Sequence, residues 1–114
     1  MSTTDIKELI KNDLETFLYH KSLKENITIN NASEIASYVG ANFLRIIYAK
    51  NKEITKEELN GVFGIISNVY KDLFGDQITT SDFQSIVTNT MELIKDTNFD
   101  ENSRNFFSNI IQNT

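Results

Sequence analysis

A chain of 114 residues with no cysteine, no proline and a single histidine excludes disulfides, thiolate metal sites, cysteine nucleophiles and histidine-rich metal centres. Apolar residues make up 39% and charged residues 24%, the composition of one folded domain over residues 1–114 rather than of a disordered segment. With 11 basic against 16 acidic side chains the net charge is −5, which opposes binding to a phosphate backbone and suits basic partners.

The first segment carries Ile6, Leu9, Ile10, Leu14, Phe17 and Leu18, one apolar stripe at helical period. Thr3 or Thr4 is the expected cap, with Asp5 and Glu8 in the first turn. Residues 22–30 lose the period and read as a loop. Asn31 and Glu34 stand three apart, a capping-box spacing, and open a second helix through Ile35, Val39, Phe43, Ile46 and Ile47 that ends near Asn51. Thr55 and Glu58 repeat the spacing, flanked by Ile54 and Leu59 at the staple positions. The third stripe runs Leu59, Val62, Phe63, Ile66, Val69, Tyr70, Leu73, Phe74, and Gly75 can stop it in a left-handed turn. Thr79, Asp82, Ile78 and Phe83 use the same device for a fourth helix, continued by Ile86, Val87 and Ile94. A fifth begins at Asn98 or Asp100 and uses Phe99, Phe106, Phe107, Ile110 and Ile111; its end, QNT, should fray.

Short loops between such helices predict an all-α fold, a compact antiparallel bundle of four to five helices with little or no β. The expected core is Leu9, Leu14, Phe17, Ile35, Val39, Phe43, Ile46, Leu59, Val62, Phe63, Ile66, Tyr70, Phe83, Ile86, Val87, Ile94, Phe107 and Ile110. No apolar run approaches the ~20 residues of a membrane helix, and MSTTDIKEL shows no secretory pattern. A cytoplasmic protein without membrane insertion is the expectation.

Chemistry-bearing motifs are scarce. Calcium-loop alignments ending at Glu58 put Ile47 and Ala49 where oxygen ligands are required and Lys52 where glycine is required. His20 beside Lys21 reads as a surface histidine rather than a catalytic one. Asp72 and Asp76 stand four apart but Gly75 interrupts them, so they read as solvated. GVFG, with Gly61 and Gly64, has no preceding strand and no following Lys-Ser/Thr, which argues against a phosphate loop. No enzyme, no cofactor and no metal are therefore expected.

Binding is the remaining resource. Gly40, Leu44 and Tyr48 make a second apolar strip on the second helix, and Gly61, Gly64 and Ile65 another on the third. If buried, these two helices are central. If exposed, the strips are a partner-binding surface offering grooves for anchors such as Tyr38, Tyr48 and Tyr70, or a surface that self-association would cover. The stretch SEIASYVGANFLRIIYAK resembles a helix-turn-helix unit, with Ala36 and Gly40 as the small residue and turn glycine. That resemblance implies DNA contacts from Arg45, Tyr48, Lys50, Lys52 and Lys56, centred on residues 32–52, although Phe43, Leu44 and Ile47 are poor groove readers. The tail MELIKDTNFDENSRNFFSNII resembles small helical proteins of phages and large DNA viruses, which implies as a further alternative a structural or assembly subunit of a virus particle. The size and acidic all-helical character resemble bacterial immunity proteins. The expected function is protein–protein binding of inhibitor, immunity or adaptor type. The partner is another protein or a second copy, and nucleic acid is the less favoured one.

Overall fold

The computed structural model describes residues 3–112, with side chains from Ile6 onward. The chain forms α1 (Thr3–Ser22), α2 (Ile29–Asn51), α3 (Lys56–Phe74), a 3-10 turn (Gly75–Gln77), α4 (Thr80–Lys95) and α5 (Phe99–Gln112). No strand occurs among the described residues. The fold is an all-α bundle. The caps expected at Thr3 or Thr4, with Asp5, lie outside the described side chains, and of the QNT end expected to fray only Gln112 is described, as the last residue of α5.

The local signals of α3 and α4 act as their sequence implies. Thr55 Oγ1 accepts from Glu58 N at 3.1 Å while the Glu58 carboxylate accepts from Thr55 N at 2.9 Å. Thr79 and Asp82 exchange the same pair of bonds. Each box satisfies amide groups that a helix start leaves without partners. Gly75 stops α3 at φ 59° and ψ −129°, a positive-φ conformation outside the left-handed helical region expected of it, where a side chain would be strained.

The start of α2 corrects the sequence reading. Its cap is Thr28, with Asn31 answering: Thr28 Oγ1 accepts from Asn31 N at 3.1 Å and Asn31 Oδ1 accepts from Thr28 N at 2.9 Å. The three-residue spacing is met twice in succession, at Thr28–Asn31 and Asn31–Glu34. The earlier pair wins because it brings the apolar Ile29 into the first turn, half-buried.

Pairings fix the directions. Leu9 and Ile10 share a groove with Ile46, Ile47, Gly61 and Val62, while Leu18 meets Ile27 and Val69. Thus α1 and α3 run the same way and α2 the other. Gly40 lies against Thr90, and Arg45 Nη1 donates to Ile94 O at 2.9 Å, so α4 runs with α2. Tyr38 stacks on Phe106 at 4.1 Å while Arg45, further along α2, lies 5.0 Å from the Phe99 ring, so α5 runs against α2 and with α1, where Phe107 stacks on Phe17 at 4.3 Å. Successive helices alternate in direction, as short loops require, and α2 is central. The radius of gyration is 13.5 Å, close to the ~13 Å of a compact chain this long.

The core joins Ile10, Leu14 and Leu18 with Ile35, Val39, Phe43, Leu44 and Ile47, then Val62, Phe63, Ile66, Val69 and Tyr70, and Ile86 and Ile110 from the last two helices. Phe17, Leu59, Phe83, Val87, Ile94 and Phe107 pack half-buried around it. Two expected core residues are exposed instead, Leu9 at 39% and Ile46 at 55%. Both sit at the edge of their stripes. Ile10 and Ile47, one residue on, take the interior positions.

Candidate docking site

The apolar strips behave differently on the two helices. Gly40 and Leu44 are buried, Leu44 completely. A Cβ at Gly40 would meet Ile66 Cδ1 at 3.3 Å and Thr90 Cγ2 at 3.4 Å. Gly40 is what allows α2 to approach α3 and α4 this closely. These two residues therefore cannot face a partner, and the binding role expected of them is corrected: on the central helix the second strip is core. Tyr48 is exposed, beside Ile54 and Ile94. On α3, Gly64 is exposed with nothing within 4 Å of a built Cβ, and Gly61 and Ile65 are half-buried.

The helix-turn-helix geometry is also corrected. A turn at Gly40–Ala41 would split the segment, but α2 runs unbroken from Ile29 to Asn51. Its mid-helix glycine is held by packing rather than by a turn. Arg45 is drawn inward, with its guanidinium 5.0 Å from the Phe99 ring and 3.7 Å from Asp100 Oδ1. Lys52 takes the left-handed C-cap, its N–H donating to Tyr48 O at 2.7 Å. Lys50 rims a groove with Lys7, and Lys56 opens α3. The five basic or aromatic residues do not form one surface laid along a recognition helix.

That groove is the clearest concavity for an apolar ligand. It encloses about 290 Å³ between the first half of α1, the end of α2 and the start of α3. Ile6, Ile10, Phe43, Ile47 and Val62 line it with Leu9 and Ile46, and Gly61 lies in the α3 wall. Lys7 and Lys50 supply two cations. The lining carboxylate, Glu58, is taken up locally: Oε1 accepts from Thr55 N and Thr55 Oγ1, and Oε2 from Asn51 Nδ2. In an acidic chain this groove is therefore apolar, with a rim of two lysines against one carboxylate.

Two further concavities have the opposite sign. One, of about 580 Å³, lies where α1 and α3 end, with Leu18, Tyr19, Ile27, Val69 and Leu73 as its apolar wall and Glu15 and Asp72 as its charges. The other, of about 610 Å³, follows the α2–α4 seam and contains Glu34, Asp82, Glu92 and Asp96. Two of those carboxylates are occupied: Asp82 by the α4 cap, and Asp96 by Asn98 N at 2.9 Å and Asn102 Nδ2 at 3.0 Å. No group of three or more His, Asp or Glu among the described residues is placed to hold a metal ion.

Perturbed titrations are scattered over the molecule. Burial raises the Asp13 carboxyl on α1. The Lys21 ammonium, 3.0 Å away, lowers Glu25 in the following loop. Burial raises the Tyr38 phenol, helped by Glu34 and Asp96. Burial also raises the phenol of Tyr70 in the core, where its hydroxyl has no hydrogen-bond partner among the described residues. These groups sit on different elements and assemble no acid–base pair of the kind catalysis uses.

The groove was not legible as a site. Lys7 and Leu9 come from α1 and Ile46 from α2, and their juxtaposition depends on how α1 crosses α2. No described helix is long and apolar enough to cross a membrane. Compared with known protein families, curated proteins and solved structures, the chain matches none.

Proposed function

We propose that this chain acts by binding another protein surface, without catalysis, cofactor or metal, and that the groove between α1, α2 and α3 is where it docks. The observation that carries this reading is the pairing of an apolar groove with the outward-facing Leu9 and Ile46 at its walls. Exposed apolar side chains gathered around a concavity mark interaction sites, whereas scattered ones do not. An apolar centre inside a charged rim is the usual anatomy of a specific interface.

The test is affinity capture from the cells that encode the protein, with nuclease treatment, comparing the native chain with Leu9→Asp/Ile46→Asp. Both positions are exposed, so the variant should fold, which circular dichroism checks. A specific protein retained by the native chain after nuclease and lost by the variant supports the reading. Recovery of nucleic acid alone, falling steeply with salt, or capture that ignores both substitutions, overturns it.

A further inference from the structure

The groove demands an occupant with an apolar anchor between negative charges, and the molecule carries one. At the end of α3, Leu73 is 53% exposed. Asp72 precedes it and Asp76 follows Gly75, both exposed. We infer that the occupant of the α1–α2–α3 groove is this α3 corner from a second copy of the chain, with Leu73 seated among Leu9, Ile46 and Ile10 and with Asp72 and Asp76 facing Lys7 and Lys50. The inference rests on the docking reading above and names its partner.

Charge complementarity is the main argument. The chain as a whole is acidic, so two copies repel unless a basic patch meets an acidic one. The groove rim is the more basic of the two, with Lys7 and Lys50 against the single carboxylate of Glu58, which hydrogen bonds hold towards Thr55 and Asn51. The α3 corner carries two exposed carboxylates, Asp72 and Asp76, against one exposed cation, Lys71, around an exposed leucine. Juxtaposing them covers large apolar side chains on both sides and pairs charges at the rim.

The register on α3 closes the arrangement. Gly61, Ile65, Asn68 and Asp72 follow steps of four, three and four, so Gly61 of the groove wall and Asp72 of the corner lie on one face of the helix, with Leu73 about 100° round from Asp72. They are 11 residues apart, about 16 Å at 1.5 Å per residue. Two copies related by a two-fold axis near Ile65 and Asn68, with their α3 helices antiparallel, bring each corner to the other's groove. Both contacts form at once and the assembly ends at two, as an isologous interface does. Gly61 and Gly64, bare along this stretch, allow the two helices to come close.

The experiment is sedimentation equilibrium of the full chain over micromolar to millimolar concentration at low salt. A species of twice 13.1 kDa is expected, weakening as salt rises and screens the rim. Asp72→Lys/Asp76→Lys and Lys7→Glu/Lys50→Glu should each raise the dimer dissociation constant by roughly tenfold or more. Mixing the two variants should restore a dimer, now heterodimeric. A 13.1 kDa species at every concentration overturns the inference, as does a dimer indifferent to both reversals, or a mixture that stays monomeric. A monomer whose capture of a partner still depends on Leu9 and Ile46 rejects the second copy while leaving the docking reading in place. A charge-reversible dimer that captures nothing else supports the second copy as the occupant.

Discussion

Two glycines inside helices meet opposite surroundings. Gly40 on α2 is buried against Ile66 and Thr90, with 3.3 Å and 3.4 Å separating those side chains from a built Cβ. Thr90 there is fully buried and donates its hydroxyl to Ile86 O at 2.7 Å, so it closes the seam without an unpaired group. Gly64 on α3 is exposed and nothing lies within 4 Å. A helical glycine costs about 1 kcal/mol relative to alanine. At Gly40 that cost is offset inside the molecule, by close packing of α2 on α3 and α4. At Gly64 no contact within the chain offsets it. The α2–α4 seam is closely packed at Gly40 and its concavity is lined mostly by polar groups, whereas the α1–α3 side has apolar grooves, bare backbone and exposed leucines.

The largest expected effect tests the packing that α3 shares with α4. Phe63 is nearly buried and meets the edge of the Phe83 ring at 6.3 Å, tying α3 to α4. Phe63→Ala removes that ring and leaves a cavity, at a cost of about 3–5 kcal/mol. That is enough to unfold much of the population of a domain this size. Urea denaturation checks it. A loss below about 1 kcal/mol would mean that the α3–α4 side is as loose as the other.

Next comes Gly40→Val. The Cβ alone presses on Ile66, which is fully buried, and the two added methyls have nowhere to go. Overpacking of this kind costs about 1–3 kcal/mol. Gly40→Ala should gain nothing, because its helix propensity is spent on displacing Ile66 and Thr90. Thermal denaturation of the pair separates the propensity term from the packing term. A stabilised Gly40→Ala would show that the seam can relax.

How much of this was readable beforehand follows from the range of the interactions. The boxes at Thr55–Glu58 and Thr79–Asp82 are local, and their sequence signatures name them. The box at Thr28–Asn31 overlaps a second legitimate spacing at Asn31–Glu34, and spacing alone does not choose between them. Stripe periodicity gives the faces of the helices but not the neighbours. It places Leu9 and Ile10, or Ile46 and Ile47, on the same broad face, and only the crossing of α1 over α2 decides which of each pair is sealed. The second strip on α2 is core because four helices surround α2, a count no local pattern contains. The groove depends entirely on such crossings, and so its rim of Lys7 and Lys50 carried no signal in the chain.

Gly64→Ala sharpens the comparison from the open side. The new methyl meets no neighbour, so the helix gains its propensity of about 1 kcal/mol, seen as a rise in Tm of roughly 4 °C or more. Loss of stability instead would place an unrecognised contact at Gly64 and remove the contrast with Gly40.

Gly61→Leu is expected to move stability least and binding most. A Cβ at Gly61 meets only the Cε of Lys7, at 3.7 Å, an ordinary contact with a flexible stem. Leucine is a better helix former than glycine, and its side chain would enter the groove beside Leu9, Ile46 and Val62. Those gains oppose the ordering of one more side chain, so the net change should stay within about 0.5 kcal/mol. The groove, however, is then filled by the protein's own leucine, and Leu73 of a second copy has no seat. Sedimentation should show the dimer lost while the denaturation midpoint is nearly unchanged. The two readouts separate a site from a structural joint. At Gly40 a larger side chain damages the fold. At Gly61 it should leave the fold intact and abolish association. An intact dimer in Gly61→Leu would mean that the groove is not the contact surface. A large loss of stability would mean that glycine is kept there for the bundle itself, as it is at Gly40.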